Sequence, residues 1–122
     1  MLRRCFVVAA TLLAIGGPLA VQRAQAGDRV ADLAAMTNAD RSRVGLRPLA
    51  MANDLSSLAQ SRANEMARTG RLAHTSNLGS KVSGWKRLGE NVGRGPNLRD
   101  IETAFMNSLS HRENILDPGF TQ

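Results

Sequence analysis

The first 26 residues set the terms on which the rest of this chain must fold. Arg3 and Arg4 precede an apolar run over residues 5–15, and Ala24-Gln25-Ala26 forms a small-x-small triplet before Gly27. That is the three-part pattern of a secretory leader. The run is shorter than the ~20 residues a membrane-spanning helix needs, and Pro18, Gln22 and Arg23 interrupt the segment after it. Residues 1–26 are therefore expected to be a cleaved leader. Residues 27–122 would then form one secreted or periplasmic domain with no stable membrane span. Cys5 is the only cysteine, and it would leave with the leader. A lipid-modified cysteine would instead stand directly after the cleavage site, where Gly27 is. The remaining 96 residues hold no disulfide, although small exported domains often rely on them. Packing alone must hold such a domain, at a size where the margin is thin.

Cleavage also changes the charge. The full chain carries 16 basic and 10 acidic residues, a formal +6; without Arg3, Arg4 and Arg23, 13 basic residues remain and the net charge falls to about +3. That excess suits loose association with anionic envelope material. With one Trp and no Tyr, the chain lacks the aromatic platforms on which nucleic-acid bases stack, and no nucleic-acid partner is expected.

Taken in order, residues 28–44 place Val30, Leu33, Ala34, Thr37 and Val44 at helical spacing, and Gly45 is a natural stop. Leu46-Arg47-Pro48-Leu49 reads as an extended connector, because a residue before proline avoids helical angles. Asn53 or Asp54 is placed to cap a second helix with Leu55, Leu58, Ala59, Ala63, Met66 and Ala67 on its apolar face. Gly70 ends it, and Arg62 in its middle reads as snorkelling to the surface. Residues 75–87 read as surface loop, with Trp85 packing at the domain edge. Gly93, Gly95 and Pro96 signal a turn, and Asn97 caps a third helix carrying Leu98, Ile101, Phe105 and Leu109. Ser110-His111-Arg112-Glu113 matches a capping box for a fourth, short helix. Asp117-Pro118-Gly119 closes that helix as a turn.

The only histidines, His74 and His111, lie on either side of Glu90 in Leu88-Gly89-Glu90-Asn91-Val92-Gly93. Two imidazoles and one carboxylate suit a zinc ion with an open position, or a general base acting on a polarised water. Their separations of 16 and 21 residues match no local metal motif, and the residues equally fit a loop histidine, a turn glutamate and a helix-capping histidine. No nucleophile is evident: Ser108 and Ser110 lie near His111, but Ser110 is committed to the cap. Asn91 and Asn114 read as side chains that satisfy buried backbone groups.

Several of these pieces, in this order, resemble the CAP superfamily (cysteine-rich secretory proteins, antigen 5 and pathogenesis-related proteins) in its bacterial SCP-like branch. The resemblance rests on Asn38-Ala39-Asp40-Arg41 with Gly45-Leu46-Arg47-Pro48-Leu49, on Ala63-Asn64-Glu65-Met66-Ala67 with His74, on Gly89-Glu90-Asn91-Val92, on Phe105-Met106-Asn107-Ser108, and on His111-Arg112-Glu113-Asn114-Ile115-Leu116. It implies an α+β fold, an αβα three-layer sandwich. Here the sandwich is expected to be incomplete, mostly helical with little strand, because the Gly-Val-Gly and Trp-x-Gln strands of the family do not appear before Gln122. Phe105 replaces the family's tryptophan, and Ser108 falls near the position of a second cleft glutamate in many eukaryotic members. Glu102, earlier on the same helix, is expected to point elsewhere.

The resemblance also implies a shared cleft of His74, Glu90 and His111, with zinc as its candidate metal. The expected function is binding of an extracellular or envelope ligand, with lipids among the candidates, rather than turnover. Two alternatives stay open: a zinc-dependent hydrolase, and a protein-interaction module without ligand chemistry.

Overall fold

The computed structural model describes the backbone of residues 2–12 and 19–122 and the side chains of residues 2–10 and 28–122. Residues 13–18 of the expected leader, and the side chains of its Ala24-Gln25-Ala26 triplet, lie outside them. Among the described residues the order is β1 (Arg3–Leu12), α1 (Leu19–Arg43), α2 (Asn53–Thr69), α3 (Leu78–Lys81), β2 (Trp85–Gly95), α4 (Leu98–Asn107) and α5 (Leu109–Ile115).

β1 and β2 pair in parallel, from Arg4 opposite Arg87 to Leu12 opposite Gly95, with one irregularity at Arg3. On the far edge of β1, Phe6 N–H donates to the carbonyl of Gln122, and Gln122 N–H donates to that of Arg4. These are the slanted bonds of a further parallel pairing, so β1 lies between β2 and residues 121–122. A parallel strand covered on both faces must be apolar at successive positions, and Cys5, Phe6, Val7 and Ala9 are all 5% exposed or less. The ten residues of β1 thus include the start of the apolar run read as the core of a leader. An apolar run rich in Val and Ala suits both a leader and a doubly buried strand, and periodicity cannot separate them.

Strand alternation builds the layers. Cys5, Val7 and Ala9 face α2 and pack with Leu55, Ala59, Met66, Val82 and Val92. Phe6, with Val8 and Ala10 behind it, faces α4 and α5 and packs with Ile101, Phe105, Ile115 and Phe120. The arrangement is the expected αβα sandwich, mostly helical, with a small sheet in the middle. α1 joins the α4–α5 side through Arg41, 1% exposed, whose guanidinium donates to the carbonyls of Arg47, Ile115, Asp117 and Phe120.

Several local expectations shift. α1 starts before residue 28 and ends at Arg43, with Gly45 in the left-handed region as the stop requires. The N-cap of α2 is Ala52, with no side-chain cap; Asp54, in the first turn, instead accepts from Arg3. Ala67 is exposed, outside the buried face of Leu55, Ala59, Ala63 and Met66. Residues 75–87 are only partly loop, for they hold α3, the buried Val82 and the start of β2. Trp85 does sit at the edge, 41% exposed, its Nε1–H donating to the Gly79 carbonyl. Gly93 and Gly95 belong to β2 rather than to a turn. Asn97 caps α4 as expected, accepting from Asp100 N–H. Leu109 lies beyond α4 and is 64% exposed, and Ser108, not Ser110, is the N-cap of α5.

Candidate binding site

β2 carries Gly89-Glu90-Asn91, and its alternation sends neighbouring side chains to opposite layers. Glu90 shares a face with Leu88 and Val92, which pack on the α2 side. Asn91 shares the other with Gly89, Gly93 and Gly95. On that face a Cβ would come within 2.9 Å of Phe120 at Gly89, 2.8 Å of Phe105 at Gly93 and 2.9 Å of Ile101 at Gly95. The glycines flanking Glu90 are there because α4 and residues near 120 lie directly on the backbone, closer than any side chain would allow.

On the α2 face the buried Glu90 carboxylate meets the segment after α2. His74 Nδ1 lies 2.8 Å from Oε2, Thr75 N–H donates to the same oxygen at 2.9 Å, and the Thr75 hydroxyl donates to Oε1. With an ionised carboxylate as acceptor, Nδ1–H is the donor and Nε2 is left outward. The imidazole itself is 63% exposed while the Glu90 side chain is 3% exposed. Arg62 fixes the approach. Its guanidinium donates to the Ala73 carbonyl and pairs with Glu65, so it ties α2 to the residue before His74 instead of snorkelling away. Thr75 did not stand out in the sequence; its one signal was its place beside His74 in a polar segment.

On the opposite face Asn91, fully buried, donates through Nδ2 to the His111 carbonyl at 3.0 Å, and Asn114 Nδ2 donates to Asn91 Oδ1 at 2.9 Å. This amide pair bolts α5 to β2: Asn91 satisfies a backbone carbonyl as expected, whereas Asn114 donates to the Asn91 side chain rather than to the backbone. The His111 ring stacks on Phe105 at 5.0 Å between centroids, and its Nδ1 is 2.7 Å from Ser108 Oγ. Ser108 is the N-cap residue of α5 by position, but its hydroxyl meets the imidazole and makes no side-chain cap bond to the helix backbone.

The structure therefore brings His74 and Glu90 together and holds His111 with the α4–α5 layer. Among the described residues no three His, Cys, Asp or Glu side chains gather closely enough to hold a metal ion. Both Glu90 oxygens already accept from His74 and Thr75. The three residues as they stand do not fit a zinc centre, and no chemical step is derived through one. Glu102 points away from both groups. It is buried against α1, accepts from the Thr37 hydroxyl at 3.0 Å, and its pKa is pushed up to about 7, first by burial and secondarily by Asp40. Its Oε2 accepts no hydrogen bond; carrying a proton, it has Asp40 as a partner.

An open groove of about 440 Å³ lies elsewhere, lined by Arg87, Arg112, Glu113, Leu116, Asp117 and Pro118. Arg87 is already engaged there, paired with Asp117 and lying over the Phe120 ring.

A model of the cysteine-rich secretory protein (CAP) family matches residues 34–122. The chain is also 35% identical over 95 residues, 70% of its length, to a protein of Bacillus subtilis (strain 168) described as uncharacterized protein YkwD. The matched stretch spans 37% of that relative. No solved structure matches the chain.

Proposed function

The chain belongs to the CAP family of cysteine-rich secretory proteins, as a bacterial SCP-like domain, and on that premise we propose that it is an exported binding module for an extracellular or envelope ligand. The observation that carries this reading is the His74–Glu90–Thr75 cluster. An exposed imidazole stands on a buried carboxylate whose two oxygens are held by three hydrogen bonds. Such a platform presents one oriented nitrogen to solvent, which suits recognition of a polar group. It supports turnover less well. Within this cluster the Thr75 hydroxyl is committed to Glu90, whereas nucleophilic catalysis needs a hydroxyl or thiol within reach of a free base; the Ser108–His111 pair belongs to the α4–α5 layer.

Export rests on the leader pattern of residues 1–26, and the net charge of about +3 that cleavage leaves favours anionic envelope surfaces. Lipids head the ligand candidates. The test is uptake of a fluorescent lipid by the wild-type protein and by His74→Ala, with and without chelator. Saturable uptake that resists chelator and falls at least tenfold in His74→Ala is the expected result. Uptake unchanged by the substitution would refute the site, and uptake abolished by chelator would return zinc to the account.

A further inference from the structure

The positive charge of this chain is gathered in one stretch. Between Glu65 and Glu90 there is no acidic residue, while Arg68, Arg71, Lys81, Lys86 and Arg87 are basic. The rest of the chain carries 11 basic residues against 10 acidic ones, and without the leader it carries 8 against 10. The excess therefore belongs to the end of α2, the segment after it, α3 and the start of β2. These pieces are tied into one edge of the α2 layer. Arg62 links α2 to Ala73, His74 and Thr75 bond to Glu90 on β2, and the Trp85 Nε1–H donates to Gly79 in α3. Leu78 and Val82, at either end of α3, pack inward on the core, and Lys81 between them is exposed. Arg87 is spent on Asp117. Arg68, Arg71, Lys81 and Lys86 are all exposed, and among the described residues no carboxylate pairs with any of them. Two large apolar side chains stand next to these cations in the chain. Leu72, 49% exposed, follows Arg71, and Trp85, 41% exposed, precedes Lys86.

We propose that this edge, made of Arg68, Arg71, Leu72, Lys81, Trp85 and Lys86, is a docking surface for an anionic lipid bilayer. It rests on the envelope-binding reading above, and names the partner and the part of the molecule that meets it. Unpaired cations draw a protein to phosphate headgroups. An aliphatic and an indole side chain, each beside a cation, suit the boundary between headgroups and acyl chains, where an amphipathic ring settles. The polar edge of Trp85 is already satisfied by Gly79, so burying the rest of the ring leaves no donor unpaired. A soluble polyanion would engage the cations but leave Leu72 and Trp85 in water, since it offers no apolar phase to remove their area from solvent. His74 stands two residues beyond Leu72 on the same edge. Docking thus brings headgroups to the imidazole that Glu90 holds.

The test uses the full chain, with Trp85, its only tryptophan, as the reporter. The chain should sediment with vesicles of equal parts phosphatidylglycerol and phosphatidylcholine, and not with phosphatidylcholine alone. Its emission should shift to the blue on the anionic vesicles, while soluble polyphosphate leaves it unshifted. Two double variants then remove the same charge from different places. Arg68→Gln with Arg71→Gln should weaken vesicle binding ~25-fold, at about fivefold for each cation lost from an anionic surface. Arg94→Gln with Arg99→Gln changes exposed residues at and beyond the other end of β2, and should weaken it by about twofold at most, because charges more than a Debye length away are screened. Equal weakening by the two pairs would reduce the effect to net charge and overturn the surface. Sedimentation without a blue shift, or the same shift with polyphosphate, overturns the bilayer as partner, and no sedimentation with anionic vesicles overturns the whole proposal. Fluorescent-lipid uptake that depends on His74 without any docking would leave the His74 site standing and remove this surface; docking without such uptake would do the reverse.

Discussion

The two faces of β2 differ by a single residue step and do different work. The face bearing Gly89, Asn91, Gly93 and Gly95 is closed: aromatic rings lie on its backbone, and the Asn91 side chain is spent on α5. The face bearing Glu90 is open at one end, where a buried carboxylate supports an imidazole that is mostly in water. One face holds the layers together and the other presents chemistry. Residues on the first should therefore be costly to change and silent in binding, and residues on the second the reverse.

The largest effect belongs to the closed face. Phe105→Ala removes the ring that covers Gly93 and stacks on His111, and should cost about 3–5 kcal/mol in urea denaturation. A loss under 1 kcal/mol would show that this face is not closed. Gly93→Ala tests the same contact from the other side. Its Cβ would stand 2.8 Å from two Phe105 ring carbons, an overpacking worth about 1–3 kcal/mol. If the variant is as stable as wild type, α4 does not lie directly on the strand.

Glu102 gives the closed side a pH dependence. Its folded pKa of about 7 lies above the ordinary 4.5, so the folded chain holds this proton more tightly than the unfolded one. The stability the group contributes is full below about pH 4.5 and is lost as pH rises through about 7. Glu102→Gln should remove that slope and raise stability at pH 8, on the order of 1–2 kcal/mol, with little change at pH 4. Equal effects at both pH values would mean Glu102 is not protonated in the fold. The smallest effect belongs to the open face. His74→Ala should change stability by no more than about 0.5 kcal/mol while ligand uptake falls. Substantial unfolding would make His74 a structural residue and erase the contrast.

The sequence made the open face only half visible. The apolar stripe of α2 was legible because Leu55, Ala59, Ala63 and Met66 repeat at helical spacing, and Gly45, Gly70 and Asn97 marked ends by their backbone or capping chemistry. β2 was obscured by its own glycines. Gly89, Gly93 and Gly95 look like turn residues, and they are glycine because of rings and side chains contributed from residues 101, 105 and 120, a tertiary cause with no local trace. The caps at Ala52 and Ser108 were misplaced because Asp54 is drawn to Arg3, and because Ser108 lies one step before the first helical residue of α5. That Glu90 and Asn91 would face opposite layers is a result of strand alternation once β2 is a strand. The shared cleft expected of His74, Glu90 and His111 rested on the family resemblance and not on their spacing in the sequence.

Arg41 has a consequence for the order in which this fold can be completed. Its guanidinium is buried, which works against its charge, and three of its four carbonyl acceptors, on Ile115, Asp117 and Phe120, lie 74 to 79 residues further along the chain. A chain emerging from the ribosome at roughly 5–20 residues per second carries this cation for several seconds before those acceptors exist. During that interval the end of α1 has no dry place to go, and the guanidinium must stay hydrated. The helices can form as they appear, but the α4–α5 layer can seal only when residues 115–120 arrive, and that closure is where a slow, late step of folding belongs.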